Sequence, residues 1–365
     1  MKRACFDQNT TPHENKDMRV LSDNLKTTYF RIKLSKIILL LFVTIAFVCT
    51  TTAQATKPAK RSAIVNGEDL TDTKGNVINA HGGGFLKVGN YFYWIGENRH
   101  DNVLVSCYRS TDLLNWEFRG DLLTRQSNPE LADANIERPK VVYNTKTKQF
   151  VMWMHYEKRS DYSLARAAVA VSNDIEKPFT YQRSFRPFGN MSRDCTLFLD
   201  DDGSAYFFSS ARENYDMMMY RLTDDFLDLK EQVATLWPGG HREAPAVVKR
   251  NGYYFMITSG CTGWAPNQAK YAVAKSIRGP WSELTYIADN TTYHSQSTYI
   301  LPIIGKKNTS YLYVGDRWDG KHYFNSKYIF LPLTFRNDTT MEMPWSETCT
   351  PDVTKGKIGQ ASQNK

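Results

Sequence analysis

The chain has 365 residues, 41% of them hydrophobic and 13% aromatic, which is enough to bury a large core in one or two domains. Half of its net charge of +8 falls in residues 1–53, which carry eight Lys/Arg and four Asp/Glu, and no long basic block follows. This distribution argues against a nucleic-acid-binding surface, and the many Tyr, Phe and Trp residues favour an all-β protein.

The first predicted element is an export signal. Three basic residues at positions 31–36 precede the apolar run IILLLFVTIAFV (37–48), and the small and polar residues TTAQA follow. This order is typical of a secretory signal peptide, and a membrane span would need about 20 apolar residues. We therefore expect residues 1–55 to be a leader and the protein to be secreted or periplasmic, with an uncleaved signal-anchor as the alternative.

Five similar units follow the leader. Each has polar or charged residues, an apolar strand, a polar turn and an aromatic-rich strand, and then a later strand element. The units begin about 50–57 residues apart, at His81, Glu137, Ser192, Arg242 and His294. A period of this size with about four short strands per unit is typical of propeller blades. The prediction is an all-β, five-bladed β-propeller over residues 63–348, and a β-sandwich is the alternative.

Three further predictions concern the edges of these units. The dipeptides Gly89-Asn90, Asp202-Gly203 and Asn251-Gly252 are suited to hairpin turns between paired strands. Residues 62–80 are predicted to form a hairpin that completes the last sheet of the ring. Residues 349–365 are polar and are predicted to be a disordered tail.

Three carboxylates occupy the same place in successive units. In a propeller the innermost strand of each blade runs along the central channel, so Glu137, Asp194 and Glu243 are expected to meet at one mouth. Each has an Arg neighbour, which would limit the repulsion between the acids or join one blade to the next. Carboxylates around an aromatic-rimmed pocket indicate glycoside hydrolysis, in which an acid of raised pKa protonates the leaving oxygen. Trp264 is a candidate sugar platform, whereas Trp94 and Trp153 are expected in the core.

At these residues the chain resembles glycoside hydrolase family 43, and within it the exo-β-1,3-galactanase branch. The resemblance covers residues 63–345 and is carried by eight motifs in order: AHGGG (80–84), YWIGE (93–97), SCYRSTDLLNW (106–116), ERPKVVYN (137–144), SRDCTLFLDDDG (192–203), REAPA (242–246), TGWAPN (262–267) and SQST (295–298). It implies a five-bladed propeller and hydrolysis with inversion at the anomeric carbon.

The resemblance also implies residue roles. Glu243 falls at the position of the general acid, and Asp194 falls where a carboxylate tunes and orients that acid. The aspartate base of the broader family is absent, because its place reads His81-Gly82-Gly83. The branch implicates Glu137 and Gln296 opposite the acid, and which of them activates the water is open. Substrate contacts are expected from Glu97, Tyr162, Trp264 and His81.

These observations predict a secreted, exo-acting β-1,3-galactosidase that trims the galactan of arabinogalactan-type glycans as a monomer. The rivals are another family 43 glycosidase, such as an arabinofuranosidase or xylosidase, and a non-catalytic sugar-binding propeller. No nucleic acid, cofactor or membrane partner beyond the leader is expected. No metal is expected either, because the four histidines near the unit starts, His81, His155, His241 and His294, have no metal-ligand spacing. The four cysteines after the leader are expected as buried thiols, with one disulfide as the alternative.

Overall fold

A computed structural model of the protein describes Arg31 and residues 60–360. Over residues 60–360 the fold is all-β, as predicted, and the helical segments there are three short 3-10 turns at Pro129–Leu131, Pro187–Gly189 and Tyr323–Asn325. The predicted export signal lies outside the described residues. Within the described part of the chain, no helix combines the length and the apolar character that crossing a membrane requires.

Five antiparallel sheets contain four strands each, taken in chain order. Sheet 1 contains β2 (His81–Val88), β3 (Tyr91–Glu97), β4 (Val103–Ser110) and β5 (Glu117–Thr124). Sheet 2 contains β6 (Ala134–Asn144), β7 (Gln149–Lys158), β8 (Arg166–Ser172) and β9 (Thr180–Phe185). Sheet 3 contains β10 (Cys195–Leu199), β11 (Ala205–Ala211), β12 (Asp216–Leu222) and β13 (Leu229–Leu236). Sheet 4 contains β14 (Arg242–Arg250), β15 (Tyr253–Gly260), β16 (Lys270–Ala274) and β17 (Thr285–Tyr286). Sheet 5 contains β18 (Gln296–Ile304), β19 (Thr309–Arg317), β20 (Lys327–Phe335) and β21 (Met341–Glu342).

A sixth, three-stranded sheet corrects two predictions. It joins β1 (Ile64–Val65) to β22 (Thr348–Asp352) and β23 (Lys357–Gln360), so residues 349–360 are not a disordered tail. The strand β1 pairs with β22, with Ile64 opposite Cys349, and does not extend sheet 5 as predicted. The reason is burial: both side chains lie in the apolar core, at 2% and 0% exposure, and the pairing fixes them there.

The core is divided into five apolar clusters, each between two sheets. Four of them fill the spaces between sheets 1 and 2, 2 and 3, 3 and 4, and 4 and 5. The fifth joins sheet 5 to sheet 1, for example Leu301 and Val314 to Phe85 and Trp94. The first strands of the sheets, β2, β6, β10, β14 and β18, contact one another in the same cyclic order. The predicted core positions of Trp94 and Trp153 are confirmed, at 1% and 0% exposure.

Two of the three predicted hairpin turns are two-residue loops. Asn251 and Gly252 both have positive φ, 49° and 77°, as the turn between β14 and β15 requires. Gly89 has φ 58° and joins β2 to β3 with Asn90. Asp202-Gly203 lies instead in a five-residue loop, residues 200–204, between β10 and β11.

Candidate active site

A cavity of about 240 Å³ collects most of the predicted site residues. Its wall includes residues from all five four-stranded sheets or the loops that follow their strands. Seven of the eight predicted residues line it: Glu97, Glu137, Tyr162, Asp194, Glu243, Trp264 and Gln296. The cavity therefore brings together side chains that are up to 199 positions apart in the sequence, from Glu97 to Gln296.

A repeated β-bulge aims the residues at the start of the first strands. The pairing register shifts directly after His81 in β2, Glu137 in β6 and Glu243 in β14. The next residue in each strand has positive φ: 55° at Gly82, 50° at Arg138 and 53° at Ala244. A bulge bends its strand and re-aims a side chain. It thus lets Glu137 and Glu243 face the cavity while the rest of each strand packs in the core.

Glu243 is buried, at 8% exposure, and two neutral amides donate hydrogen bonds to its carboxyl group. Gln296 Nε2 donates to Oε1 at 2.9 Å, and Asn214 Nδ2 donates to Oε2 at 3.0 Å. Burial and the nearby negative charge of Asp194 raise the pKa of Glu243 to about 8, against the opposing effect of Arg138. Glu243 is therefore largely protonated at neutral pH, as a general acid must be.

Asp194 is connected to the same acid through Arg138. Arg138 Nε lies 2.9 Å from Asp194 Oδ2, and its guanidinium also donates to Gln296 Oε1. A further bond runs to the backbone oxygen of Ser297, at 3.0 Å, so Arg138 of sheet 2 joins sheets 3 and 5. Arg138 therefore links neighbouring units as predicted, whereas Arg242, for which the same role was predicted, bonds to Thr258 within its own sheet 4.

Gln296 lies beside the acid and not opposite it, which corrects the expected arrangement. The reason is the cyclic order of the sheets, since β18 carries Gln296 and is the neighbour of β14. All four hydrogen-bonding positions of the amide are occupied. Oε1 accepts from Arg138 and from Trp318 Nε1 at 2.8 Å, while Nε2 donates to Glu243 and to Ser259 Oγ at 3.0 Å. In this arrangement the amide has no position left for a water molecule.

Glu137 has an environment opposite to that of Glu243. Its Oε1 accepts from Arg99 Nη2 at 2.8 Å and Asn135 Nδ2 at 2.7 Å, and also from the Tyr162 hydroxyl. Its Oε2 lies 3.2 Å from His155 Nδ1. Burial raises the pKa of Glu137, but His155 and Arg99 outweigh it and hold that pKa well below its usual range. Glu137 is therefore a firmly ionised carboxylate.

His155 is the cation that completes this group. Its Nε2 lies 3.0 Å from Glu157 Oε1, so the ring sits between two carboxylates, and it is 1% exposed. Burial lowers the pKa of His155, but hydrogen bonding to Glu137 and Glu157 raises it to about 9. The ring is thus an imidazolium at neutral pH and holds Glu137 in place.

Glu97 closes the cavity on the side of sheet 1. Its Oε1 accepts from the Tyr323 hydroxyl at 2.9 Å and lies 3.4 Å from Arg99 Nη2. Its Oε2 is buried and has no hydrogen-bond partner among the described residues. Burial raises the pKa of Glu97, and the charge of Glu137 adds to this, while Arg99 opposes it. An unpartnered buried carboxylate oxygen in a cavity wall is suited to contact a sugar hydroxyl or a water.

His81 does not reach the cavity, and the prediction that it contacts substrate is wrong. The ring is 1% exposed and stacks on Tyr328 with the centroids 4.5 Å apart. Its Nδ1 lies 2.9 Å from Asp316 Oδ1, and Gly82 N donates to the other oxygen of Asp316 at 2.9 Å. The first strand of sheet 1 therefore carries a buried His–Asp pair that supports the wall between sheets 1 and 5.

Aromatic side chains form the exposed rim. Trp264 is 48% exposed and meets Trp318 edge to face, with the ring centroids 5.8 Å apart. Tyr162 is 44% exposed and points its hydroxyl at Glu137. Exposed aromatic faces beside buried carboxylates suit a ligand with an apolar sugar face and polar hydroxyls.

One group has the spacing of a metal site. Oxygen or nitrogen atoms of Glu137, His155 and Asp194 lie within 4.8 Å of one another. The guanidiniums of Arg99 and Arg138 already neutralise the two carboxylates, at 2.8 and 2.9 Å. A divalent cation would have to displace or lie against these positive charges, so the donor set fits an ion-paired sugar site better than a metal site.

Three residues at the site were not predicted from the sequence. Arg99, Asn214 and Trp318 line the cavity, and each lies just outside a strand. Arg99 and Trp318 follow strand ends, which is the signal that could have identified them. Asn214 lies in the turn between β11 and β12, far from any repeated first strand.

The described cysteines are free thiols, with Cys107, Cys195 and Cys349 buried and Cys261 half-buried.

Comparison with known proteins gives consistent results. The crystal structure of an exo-β-1,3-galactanase from Clostridium thermocellum is 51% identical, with a TM-score of 0.81, over 83% of this chain and 70% of that chain. A glutamate-to-alanine variant of the exo-β-1,3-galactanase from Phanerochaete chrysosporium, crystallised with β-1,3-galactotriose, is 37% identical, with a TM-score of 0.77, over 82% of this chain and 71% of that chain. A xylan 1,3-β-xylosidase from a Vibrio species is 25% identical over 215 residues, and the match spans 54% of this chain and 39% of that protein.

The family pattern of the glycosyl hydrolases family 43 matches residues 84–329. This range is more than half of the chain, and it contains all four predicted catalytic residues, Glu137, Asp194, Glu243 and Gln296. The chain belongs to glycoside hydrolase family 43.

Proposed function

We propose that the protein is an exo-acting β-1,3-galactanase that inverts the anomeric configuration and uses Glu243 as its general acid. The observation that carries this proposal is the buried Glu243, whose pKa is raised to about 8 in the same cavity as the firmly ionised Glu137. A carboxyl group that stays protonated at neutral pH beside ionised carboxylates is what the general acid of a glycoside hydrolase requires. The galactan specificity is supported by the names of the solved structures that share 51% and 37% of the sequence.

We further propose that residues 63–360 form one catalytic domain, a five-bladed β-propeller whose blades are sheets 1–5. The cyclic contacts of the five first strands support this, and so does the apolar cluster that joins sheet 5 to sheet 1. The three-stranded sheet that joins β1 to β22 would then fasten the two ends of the domain together.

The acid step follows from the contacts of Glu243. Its carboxyl proton passes to the glycosidic oxygen as the bond between that oxygen and the anomeric carbon breaks. The carboxylate that results keeps its two neutral donors, Gln296 on Oε1 and Asn214 on Oε2. Asp194 keeps the proton on Glu243 before the step, because its negative charge disfavours ionisation.

The attacking water requires a proton acceptor on the other side of the sugar. We propose that Gln296 positions Glu243, because its amide is fully occupied, and that the acceptor belongs to sheets 1 and 2. These sheets do not neighbour sheet 4 in the cyclic order. Of their two carboxylates, Glu97 has the raised pKa and an unpartnered oxygen, whereas Glu137 is strongly ionised and its Oε1 already accepts from three donors. Glu97 is therefore the better base, and Glu137 holds the sugar.

Exo-action is supported by the size of the cavity. A volume of about 240 Å³ is below the roughly 300–1,000 Å³ of drug-sized ligand pockets and suits a single sugar at a chain end. The test is hydrolysis of β-1,3-galactobiose and of a long β-1,3-galactan. Early products should be galactose alone, released as the α-anomer when followed by proton NMR. A ladder of oligomers would refute exo-action, and first-formed β-galactose would refute inversion.

The same assay separates the rival functions. Aryl β-xyloside and aryl α-arabinofuranoside should be poor substrates, and a preference for either would support the rival family 43 specificity. Binding of galactobiose without hydrolysis would indicate a non-catalytic propeller.

We also propose that residues 1–55 direct export, and N-terminal sequencing of the protein recovered outside the cytoplasm would test this.

A further inference from the structure

The turn between β11 and β12 is strained. Arg212, Glu213 and Asn214 are consecutive and have φ of 48°, 54° and 63°, a left-handed conformation that L-residues with a side chain rarely adopt in succession. Arg212 donates to both carboxylate oxygens of Asp216, at 2.7 and 2.8 Å, and this bidentate pair holds the turn. Glu213 pairs with Arg193 Nη2 at 2.7 Å, but its side chain is 61% exposed, and such a surface pair contributes little stability. A strained segment that its surroundings hold firmly is a reason to look for a function there.

The turn delivers one side chain to the acid. Asn214 Nδ2 donates to Glu243 Oε2 at 3.0 Å, and Asn214 lines the catalytic cavity. The other end of the amide, Oδ1, is buried and has no hydrogen-bond partner among the described residues. The backbone oxygen of Asn214 accepts the Cys261 thiol at 3.5 Å, which connects the turn to the loop after β15. The amide is thus fixed in position but bonded at one end only.

The two amides on Glu243 differ in their freedom to turn. Gln296 is locked, because its Oε1 already accepts from Arg138 and Trp318, and turning it would place its NH₂ group against two donors. Asn214 has no such restriction, because its Oδ1 has no bond to lose. Of the two amides, only Asn214 can present either a donor or an acceptor to Glu243.

We propose that Asn214 is a positioning residue that follows the protonation state of Glu243 during the reaction. Before substrate binds, its Oδ1 accepts a hydrogen bond from the carboxyl O–H of Glu243, and the proton stays on Glu243. Once the proton has passed to the leaving oxygen, its Nδ2 donates to the carboxylate that has formed. The left-handed turn holds the amide at the distance that both states need. This inference rests on the proposed function, since it assigns Asn214 a role only if Glu243 is the general acid.

The strained backbone suggests the variant that tests the proposal. Asn214→Gly removes the amide, and glycine tolerates the positive φ without added strain. We expect turnover of β-1,3-galactobiose to fall about 10- to 100-fold, the usual effect of losing a hydrogen bond to a charged group, with little change in KM. On a dinitrophenyl β-galactoside, whose leaving group departs without a proton, turnover should stay near wild type. Glu213→Gly is the matched control, because Glu213 lies in the same turn and its side chain is 61% exposed; both of its activities should persist.

Asn214→Asp is the second variant, because it keeps the shape and the acceptor but removes the donor and adds a negative charge. The charged or titratable groups around Glu243 are Asp194, Arg138, Arg242 and Cys261, and all of them stay in place. The alkaline limb of the kcat/KM profile should therefore move to higher pH, and turnover of galactobiose should fall relative to the dinitrophenyl substrate.

Equal losses on both substrates in Asn214→Gly, with Glu213→Gly normal, would overturn the proposal and indicate a structural or sugar-binding role. An alkaline limb that stays in place in Asn214→Asp would overturn it as well, even if the glycine variant fails to fold. Failure of the wild-type enzyme to hydrolyse either galactoside would instead overturn the proposed function.

Discussion

Replacing Asp194 by Asn should make the enzyme lose activity at neutral pH and recover part of it in acid. Asp194 raises the pKa of Glu243 by its charge, second only to burial, and Arg138 works against it. In Asp194→Asn the raising effect disappears, and Arg138 loses the carboxylate that lies 2.9 Å from its Nε. Both changes stabilise ionised Glu243 and lower its pKa.

The size of the effect follows from the pKa of about 8. At pH 7 a group with this pKa is protonated in about nine-tenths of the molecules, since pH 7 lies one unit below it. A nearby charge is worth roughly 1–3 pKa units, so a fall of about two units would leave about one-tenth of the molecules protonated. The protonation effect alone is then a loss of about ninefold at pH 7, which should vanish near pH 5.

The assay is kcat/KM for β-1,3-galactobiose from pH 4 to 10 in wild type and variant. The sign is fixed by the acid: activity requires protonated Glu243, so it falls as pH rises through the pKa, and the variant should fall earlier. Asp200→Asn is the control, because Asp200 pairs with Lys249 at 2.8 Å on β14, away from the catalytic cavity. If the substitution also misorients Glu243, the resulting loss of activity would lower kcat/KM by the same factor at every pH. An alkaline limb that stays near pH 8 in Asp194→Asn would refute the electrostatic role.

Five further variants test the roles assigned to the site residues. Glu243→Gln should lower turnover of galactan by roughly 10²–10⁴ and recover on a dinitrophenyl galactoside, and equal losses on both would mean that Glu243 is not the acid. Gln296→Ala should show the same selective recovery if the amide positions the acid, whereas an equal loss on both substrates would mean that it holds the water. Glu97→Ala should abolish hydrolysis but form α-galactosyl azide when azide is supplied, and Glu137→Ala should not; the reverse result would make Glu137 the base. Trp264→Ala should raise KM for galactotriose about 2- to 10-fold with kcat unchanged, as expected for a stacking platform, and an unchanged KM would exclude that role.

The repeat could be recognised in the sequence because each unit has the same order of residue types: polar or charged residues, an apolar strand, a polar turn and an aromatic-rich strand. The spacing of the units placed all five first strands to within three residues. Strands β2 and β14 begin at the predicted His81 and Arg242, and β6, β10 and β18 begin two or three residues from the predicted starts. The sixth sheet could not be predicted this way. Its strands β1 and β22 pair Val65 with Thr348, which are 283 positions apart in the sequence, and nothing in either short segment indicates its partner. Long-range pairing of short strands is decided by the space left in the core.

At the site, the sequence predicted which carboxylates meet but not how they are oriented. Glu137, Asp194 and Glu243 share one place in the repeat, and the bulges turn two of them inward. The relation of Gln296 to Glu243 depends on the cyclic order of the sheets, which the motif SQST does not contain. Asn214 reaches the acid only because three left-handed residues form its turn, and no turn motif in the sequence indicates that conformation.

The site contains one glutamate that is ionised, Glu137, and one that is protonated, Glu243. Their pKa values differ because their hydrogen-bond partners differ, and not because one is more buried. Glu137 and Glu243 are equally buried, each at 8% exposure, and burial raises the pKa of both. Glu137 is bonded to the cations Arg99 and His155, which more than cancel burial. The donors that contact Glu243 are amides, which can stabilise the carboxylate after the proton has left without removing the proton beforehand. Had Asn214 or Gln296 been a lysine or arginine, Glu243 would be ionised at neutral pH and would have no proton to give. Neutral donors are therefore the feature that distinguishes the acid from the other carboxylates of this cavity.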